Sequence, residues 1–342
     1  MPAIFEHGYA LLIGVGDCAY TKWSLPATVK DAEAIQRVLQ DPNLCAYPKK
    51  NLHLLKDKAA SRKGILDELA WLKGCAEADP EATVVIFYSG HGWVDKTSGG
   101  YYLIPSDTSP LRPAKSALSA ADLTTALQAI LAKRLLVVLD SCHAAGMATA
   151  AKDAGEEQES DLPEDFASGA MPKALSEELA QGQGRAVFTS SSGDELSWVR
   201  KDGSMSIYTF HLTEALEGAG NREGDNKVNL SDLMGYVSRA VPETVRKECG
   251  EAQTPNFDFK TEDFPVALLR GGKGLPRGGW NEVLRQKEAA AQITNVQAIG
   301  DRSVAIGGQA HHSTIITSDN NIVGDGNIRT GNITGSSGIA IG

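Results

Sequence analysis

Two short apolar runs constrain the fold of this chain most strongly, because each leads into a cluster of chemically reactive residues. The run at 84–88 is followed by Ser-Gly-His-Gly at 89–92, and the run at 135–139 by Asp-Ser-Cys-His at 140–143. Both runs are rich in β-branched residues, which is typical of strands buried on both faces of a parallel sheet. Reactive groups in open α/β sheets gather outside the carboxyl ends of the strands. If the two strands are neighbours, His91 and Cys142 lie at the same edge.

That pair would supply a nucleophile and a base. Cys142 is the predicted nucleophile, although a thiol with an ordinary pKa of about 8.5 is only partly ionised at neutral pH. The imidazole of His91 can take the thiol proton and later protonate a leaving amine. A lone cysteine or histidine would more simply be structural, but two matched strand-end motifs favour the dyad. His143 adjoins Cys142 in sequence and is expected to point elsewhere and to be structural.

The two motifs together resemble the caspase and metacaspase clan of cysteine peptidases, peptidase family C14. Caspases carry the histidine about 50 residues before the cysteine, and here the separation is 51 residues (142 − 91). The Asp-Ser-Cys-His form is similar to metacaspases and bacterial caspase-like proteases rather than to the Gln-Ala-Cys-Arg-Gly of animal caspases. The resemblance covers roughly residues 8–268. It implies a cysteine endopeptidase with an oxyanion hole made by the backbone N–H groups of Gly92 and Cys142.

Three further residues are candidates for the pocket that holds the side chain preceding the cleaved bond (P1). Asp140 and Ser89 each lie two residues before a proposed catalytic residue, and a two-residue step keeps strand side chains on one face. Asp31 lies in a segment that partly resembles the metacaspase segment lining a basic-P1 pocket. Carboxylates suit Arg through bidentate hydrogen bonds, and Lys less well. The alternatives are a helix first-turn carboxylate for Asp31 and a turn cap for Asp140.

A predicted strand at 185–190 ends near Asp194 and Glu195, in a region that forms a groove wall in family members. These two acids are candidate groove residues, and solvated loop charges are the equal alternative. The segment Gln253-Thr254-Pro255 matches a recurrent bacterial-family segment and is assigned a structural role.

The alternation of predicted strands and helices indicates an α/β fold: a caspase-like three-layer sandwich with a mainly parallel central sheet flanked by helices. Helices are predicted at 27–40, 61–76, 120–131, 206–217 and 230–247, and further strands at 9–15, 51–55, 101–104 and 264–269. Ser61 is the expected N-cap of the second helix. The peptidase domain is assigned to 1–270, with a large portion at 1–146 and a small portion at 185–270.

Residues 147–184, between these portions, are rich in acidic residues, Gly and Pro, and predict a long flexible loop. Flexible exposed loops concentrate proteolysis. Lys152, Lys173 and Arg185 are therefore candidate sites of autocleavage or activator-driven cleavage.

A Gly-rich linker at 271–290 precedes a tail of different composition. Residues 291–342 contain no aromatic residue, Leu, Cys or Pro, and isoleucines recur six apart at 316, 322 and 328. This spacing resembles hexapeptide β-solenoids or the β-rolls of adhesin heads. The alternative is a disordered low-complexity tail. A solenoid-like tail would offer a strand edge on which a protein partner or activator docks.

The composition of the chain limits the kinds of binding partner and the cellular compartment that we expect. The net charge of −10 argues against a broad nucleic-acid or anionic-membrane surface and is compatible with basic peptide substrates. No apolar run is long enough to span a bilayer, and the N-terminus lacks the features of a secretory signal. Five scattered cysteines without a Cys-x-x-Cys pair suggest neither disulfides nor a zinc site. We therefore expect a cytoplasmic protein without a metal or cofactor; the sequence does not indicate calcium activation.

The leading hypothesis is an endopeptidase directed at Arg and Lys, by analogy a partner-activated bacterial stress or antiphage effector. A non-catalytic caspase-like scaffold acting through its tail is the alternative from another class, and a different thiol enzyme on an α/β sheet, such as an acyltransferase, is a third. The intact pair of His91 and Cys142 argues against the scaffold.

Overall fold

The computed structural model describes residues 4–141, 163–193, 195–222 and 224–269, and short C-terminal pieces at 282, 284–289, 315–316, 322–324 and 327–329. In chain order the strands before the tail are β1 (Gly8–Gly14), β2 (Leu52–Lys56), β3 (Thr83–Gly90), β4 (Gly92–Asp95), β5 (Tyr101–Leu103), β6 (Leu118–Ser119), β7 (Arg134–Ser141), β8 (Phe166–Ser168), β9 (Arg185–Thr189), β10 (Lys227–Asn229), β11 (Asn256–Phe259) and β12 (Pro265–Leu268). The helices are α1 (Ala27–Gln40), α2 (Arg62–Ala78), α3 (Pro113–Ser116), α4 (Ala120–Gln128), α5 (Lys173–Leu179), α6 (Ile207–Leu216) and α7 (Leu230–Glu248).

The central sheet has six strands in the order β11-β9-β7-β3-β1-β2. Every pair in it is parallel except β11 with β9. Alternate residues of β1 point to opposite faces of the sheet, so that Leu12 joins one apolar core while Leu11 and Ile13 join the other. Helices α1, α6 and α7 cover the first face, and α2, α4 and α5 cover the second. The expected three-layer α/β sandwich is confirmed.

The strands that carry the two reactive motifs are direct neighbours. β3 and β7 pair over their full length, with Ser89 opposite Asp140 and Gly90 opposite Ser141. All eight residues of β3 are buried, as are seven of the eight in β7. Dry packing on both faces explains the apolar, β-branched composition of both strands. The register brings the two strands to an end at the same level.

A local signal in the sequence accounts for the start of α2. The Ser61 hydroxyl accepts a hydrogen bond from the Gly64 amide at 3.1 Å, which confirms Ser61 as the N-cap of α2.

None of the helices in the described ranges is long and apolar enough to cross a membrane.

The last predicted strand does not join the central sheet. β12 instead pairs antiparallel with β10 in a separate two-stranded sheet. The sheet edge is taken by β11, a strand that the sequence did not predict, running antiparallel to β9. Phe257 anchors β11 by packing edge-on against Phe188, with ring centroids 4.7 Å apart. A four-residue strand next to Pro255 is too short to produce a clear periodic pattern.

The prediction of a flexible loop over 147–184 is wrong for its second half. Residues 163–184 contain β8 and α5, whereas 147–162 and Lys152 lie outside the described residues. Phe166 packs against Trp93 at 5.9 Å, and the buried Leu179 belongs to the core beneath α2 and α4. These apolar contacts order the segment. Lys173 therefore begins a helix, with its exposed ammonium 3.7 Å from Glu177.

Arg185 does not fit an exposed cleavage site. It opens β9 with only 9% of its surface exposed. Its guanidinium donates hydrogen bonds to the carbonyls of Leu127, at 3.0 Å, and Ile130, at 2.8 Å, with a longer bond to that of Gln128. Arg185 thus satisfies carbonyl groups at the C-terminal end of α4, where a cation also complements the helix dipole.

The described pieces of the tail pair as β13 (Ile315–Ile316), β14 (Ile322–Gly324) and β15 (Asn327–Arg329) in a three-stranded antiparallel sheet. Hexapeptide solenoids stack their strands parallel, so the pairing of these residues differs from the expected solenoid. The chain divides into two compact units at 279/280, within the predicted linker at 271–290.

We expect Arg185→Ala to lower the free energy of unfolding by about 2–3 kcal/mol, because it leaves buried carbonyls of α4 without their charged donor. Urea denaturation of the purified protein measures this loss. Arg112→Ala is the control, since Arg112 is exposed and its loss should cost less than about 0.5 kcal/mol. Equal effects of the two substitutions would contradict the role assigned to Arg185.

Candidate active site

His91 follows the last residue of β3 and precedes β4, at the carboxyl edge of the central sheet. Its backbone is fixed from two sides, because the His91 carbonyl accepts hydrogen bonds from the Tyr88 hydroxyl at 3.0 Å and from the Ile104 amide at 3.1 Å. The ring is only partly buried. An anchored backbone with a partly exposed imidazole suits a proton-transfer group that must meet a substrate.

The Trp23 carbonyl oxygen lies 2.9 Å from Nε2 of His91. Because a carbonyl can only accept, Nε2 must carry the proton in this contact. The neutral imidazole is then left with an unprotonated Nδ1, the atom that can act as a base. Trp23 is itself held by an edge-on contact with Trp93, with centroids 4.6 Å apart. Sequence reasoning missed this partner, since a backbone carbonyl carries no residue-type signal.

The strand that leads into the other motif ends level with β3. Ser141 is opposite Gly90 in the sheet, and Cys142 is the next residue in the sequence. Cys142 and His143 lie outside the described residues, so the contact between the proposed nucleophile and base remains a prediction. The described neighbours show that the chain arrives at position 142 from the strand adjacent to the one that delivers His91.

The surroundings of position 92 favour glycine. A Cβ atom there would lie 2.2 Å from Oη of Tyr101 and 3.1 Å from Cβ of Ser141. Tyr101 and Ser141 are hydrogen-bonded to each other through their hydroxyl groups at 2.8 Å. The main chain at Gly92 is therefore pressed against the end of β7, a close approach that a side chain would prevent.

The three candidate pocket residues form one buried cluster. Asp31, Ser89 and Asp140 are all fully buried. The Ser89 hydroxyl donates to Asp31 Oδ2 at 2.7 Å, and Ser89 is opposite Asp140 in the sheet. Asp31 lies in the second turn of α1 rather than the first, facing the sheet. Its alternative role as a first-turn carboxylate is therefore wrong.

The carboxylate of Asp140, near the end of β7, lies at the N-terminus of α6. Its carboxylate accepts hydrogen bonds from the hydroxyls of Ser197, at 2.8 Å, of Thr209, at 2.7 Å, and of Ser206. Ser206 is the N-cap of α6, with its hydroxyl also accepting from the Thr209 amide at 2.8 Å. The positive end of the helix dipole favours a negative charge at this position. Hydroxyl donors from a distant segment were not foreseen, because serines and threonines are common in loops.

Ser206 joins the two carboxylates. Its amide donates to Asp31 Oδ1 at 2.9 Å while its hydroxyl donates to Asp140. Residues far apart in the sequence, in α1, at the end of β7 and before α6, thus form one acidic cluster at the sheet edge that carries His91. The hydroxyl and amide donors offset part of the cost of burying the two carboxyl groups. Their oxygen atoms are acceptors that suit the donors of a cationic side chain.

The two candidate groove residues have different outcomes. Asp194 lies outside the described residues. Glu195 accepts hydrogen bonds from the amide and the hydroxyl of Thr254, at 2.5 and 3.1 Å. The neighbouring Gln253 accepts from the Trp198 amide and donates to the Ser190 carbonyl, each at 2.9 Å. The structural role predicted for the segment at 253–255 is consistent with these bonds, and Glu195 takes part in them.

The remaining cysteines match their expected structural role. Burial raises the pKa of Cys18 to about 12, and its thiol donates to the Trp23 carbonyl at 3.3 Å. Burial raises the pKa of Cys45 beyond the ordinary range, and it raises those of the half-buried Cys75 and Cys249 as well. A thiol with a raised pKa is a poor nucleophile. Within the described ranges no group of three or more His, Cys, Asp or Glu side chains could hold a metal ion.

A three-layer α/β sandwich with a histidine after one central strand and a cysteine motif after its neighbour defines a caspase-like domain. The model of the family described as Caspase domain, Peptidase C14, matches residues 7–265. The chain therefore belongs to the caspase-domain family of C14 peptidases. This membership indicates cysteine peptidase chemistry.

No curated protein matches the chain. Among solved structures, the crystal structure of protein GSU0716 from Geobacter sulfurreducens is similar over 78% of this chain and 99% of that chain, with 18% sequence identity and a TM-score of 0.48.

We expect Gly92→Ala to destabilise the protein by about 1–3 kcal/mol, because the new methyl group must displace Tyr101 or the end of β7. Thermal and urea unfolding measure the change. Gly74→Ala is the matched control, since Gly74 lies in α2 and a methyl group there would meet no atom within 4 Å outside its own helix. That substitution should stabilise the helix by about 0.5–1 kcal/mol. Tolerance of Gly92→Ala to the same degree would contradict the close approach.

Proposed function

We propose that this protein is a cysteine endopeptidase that cleaves peptide bonds after basic residues, with Arg preferred over Lys. Cys142 is the nucleophile and His91 the base, as the family motif and the strand register support. The observation that carries the specificity is the pair of buried carboxylates, Asp31 and Asp140, joined through Ser206 at the edge that presents His91.

The imidazole geometry supports the proton transfers. With Nε2 donating to the Trp23 carbonyl, Nδ1 of His91 accepts the Cys142 proton, and the thiolate attacks the substrate carbonyl. A C–S bond forms, and the carbonyl oxygen becomes an oxyanion that the amides of Gly92 and Cys142 stabilise. His91 then gives its proton to the leaving amine. Water hydrolyses the resulting thioester and restores the thiol.

The pocket chemistry favours a guanidinium. The carboxylate oxygens already accept hydrogen bonds from Ser206 and its neighbours, so an Arg side chain would share these acceptors or take the place of some of the present donors. The planar fork of Arg can contact both oxygens of a carboxylate, whereas the Lys ammonium acts as a single point charge. Both carboxylates are inaccessible to solvent. A P1 side chain must therefore displace the groups that cover them.

Cleavage after a basic residue between the large and small portions of the peptidase domain is a proposed step in activation. Lys173 is exposed at the start of α5, whereas Arg185 is buried. We retain Lys152 and Lys173 as proposed processing sites. The Gly/Ile-rich tail is proposed to dock a protein partner that switches on proteolysis; its distinct composition and its place in a second compact unit support this role. Deletion of 280–342 should preserve small-peptide cleavage but abolish co-purification with that partner.

Cys142→Ala should abolish hydrolysis of a fluorogenic peptide with Arg at P1, and His91→Ala should reduce it nearly as far, because each removes one half of the dyad. Circular dichroism should show intact folds for both variants. Full activity of Cys142→Ala would contradict the mechanism. A wild-type chain that cleaves no member of a broad peptide library, with any candidate activator, would favour the scaffold alternative.

Matched substrates that differ only at P1 test the specificity. We expect kcat/KM to fall in the order Arg, Lys, then neutral and acidic residues. Asp31→Asn should lower kcat/KM for the Arg substrate by roughly 10- to 100-fold, since the guanidinium loses a buried charge partner. Asp67→Asn, which makes the same charge change at an exposed position of α2, is the control. Preferred cleavage after Asp would overturn the pocket assignment.

A further inference from the structure

The hydroxyl group of Tyr101 lies where the two motif-bearing strands end, although Tyr101 itself belongs to another sheet. Tyr101 is in β5 and pairs with Val94 of β4, the strand that begins directly after His91. Only 3% of Tyr101 is exposed. The four-stranded antiparallel sheet that contains β4 and β5 thereby contacts the end of β7 through the side chain of Tyr101.

Tyr101 contacts the end of β7 through a direct hydrogen bond. Its Oη atom is 2.8 Å from Oγ of Ser141, the residue before Cys142. Ser141 is held a second time, because its carbonyl accepts a hydrogen bond from the Ser190 hydroxyl at 3.2 Å. The hydroxyl of Ser141 is thus engaged by β5, and its carbonyl by the residue that follows β9.

The same hydroxyl packs against Gly92. A methyl group at position 92 would lie 2.2 Å from Oη of Tyr101. The Tyr101 hydroxyl oxygen therefore packs against the main chain at Gly92, directly after His91. The same oxygen is hydrogen-bonded to the side chain of Ser141, directly before Cys142. Moving this oxygen would change the spacing between the two segments that carry the catalytic groups.

We propose that Tyr101 is a positioning residue that sets the separation between the His91–Gly92 segment and the nucleophile through its hydrogen bond to Ser141. The inference rests on the proposed function but adds a residue that the catalytic motif does not contain. Catalysis by a dyad requires near-attack geometry, and a misplacement of about 1 Å can cost on the order of 100-fold in rate. Tyr101 acts on this geometry without touching the substrate.

Tyr101→Phe is the test, because it removes one oxygen and keeps the ring in the core. We expect kcat to fall roughly tenfold or more with little change in KM, since the P1 pocket is untouched. Ser141→Ala, which breaks the same bond from the other side, should show the same loss. The double variant should be no worse than either single variant, because both remove one interaction. Tyr102→Phe is the control at the neighbouring, half-buried position.

A second measurement separates positioning from stability and from the proposed function. The rate of Cys142 alkylation by iodoacetamide at neutral pH, followed by peptide mass spectrometry, reports thiolate reactivity without a peptide substrate. It should fall several-fold in Tyr101→Phe and Ser141→Ala but not in Tyr102→Phe, at temperatures where all variants are folded. Equal kcat and alkylation rates in Tyr101→Phe and Tyr102→Phe would overturn the proposal. A wild-type chain inactive on peptides contradicts the proposed function instead, and alkylation then decides the role of Tyr101.

Discussion

The full-length parallel pairing of β3 and β7 is the constraint on which the site depends. With Gly90 opposite Ser141, the chain leaves both strands at the same level, and His91 follows the first of them directly. Side chains on a strand alternate between faces, so a slip of one residue would move Ser89 and Asp140 to opposite faces. The apolar faces of both strands fix this register because they are packed between two helical layers. Core packing thus determines the geometry of the polar edge.

Helix α6 contributes to the site through its first turn. Ser206 caps this helix and at the same time donates to Asp31 and Asp140, while Thr209 donates to Asp140. Keeping two carboxylates in a buried position is costly unless donors surround them. The hydroxyls, the amide and the helix dipole offset that cost before any substrate binds. Under the proposed specificity, a basic P1 side chain would meet carboxylates that are already oriented.

Errors in the sequence-based prediction cluster where long-range contacts override local pattern. The segment at 163–184 is rich in Gly and Pro, yet Phe166 and Leu179 reach the core and order it as a strand and a helix. Arg185 looks like an accessible basic residue, yet it lies under the C-terminal end of α4. β12 has the composition of a central strand but pairs with β10. In each case the partner is distant in the sequence, so no local window contains it.

The sequence by itself determined the alternation of strands and helices and the neighbouring motif strands, and it predicts the residues of the dyad and the pocket. These features follow from apolar periodicity and from residue types whose chemistry is specific, such as His91 after a buried run. Only the tertiary structure decided that the Trp23 carbonyl fixes the proton of His91, that Ser206 joins Asp31 to Asp140, and that Tyr101 contacts Ser141. Backbone carbonyls and hydroxyl groups occur along the whole chain, so their roles depend on which distant atoms the packed core brings within hydrogen-bonding distance.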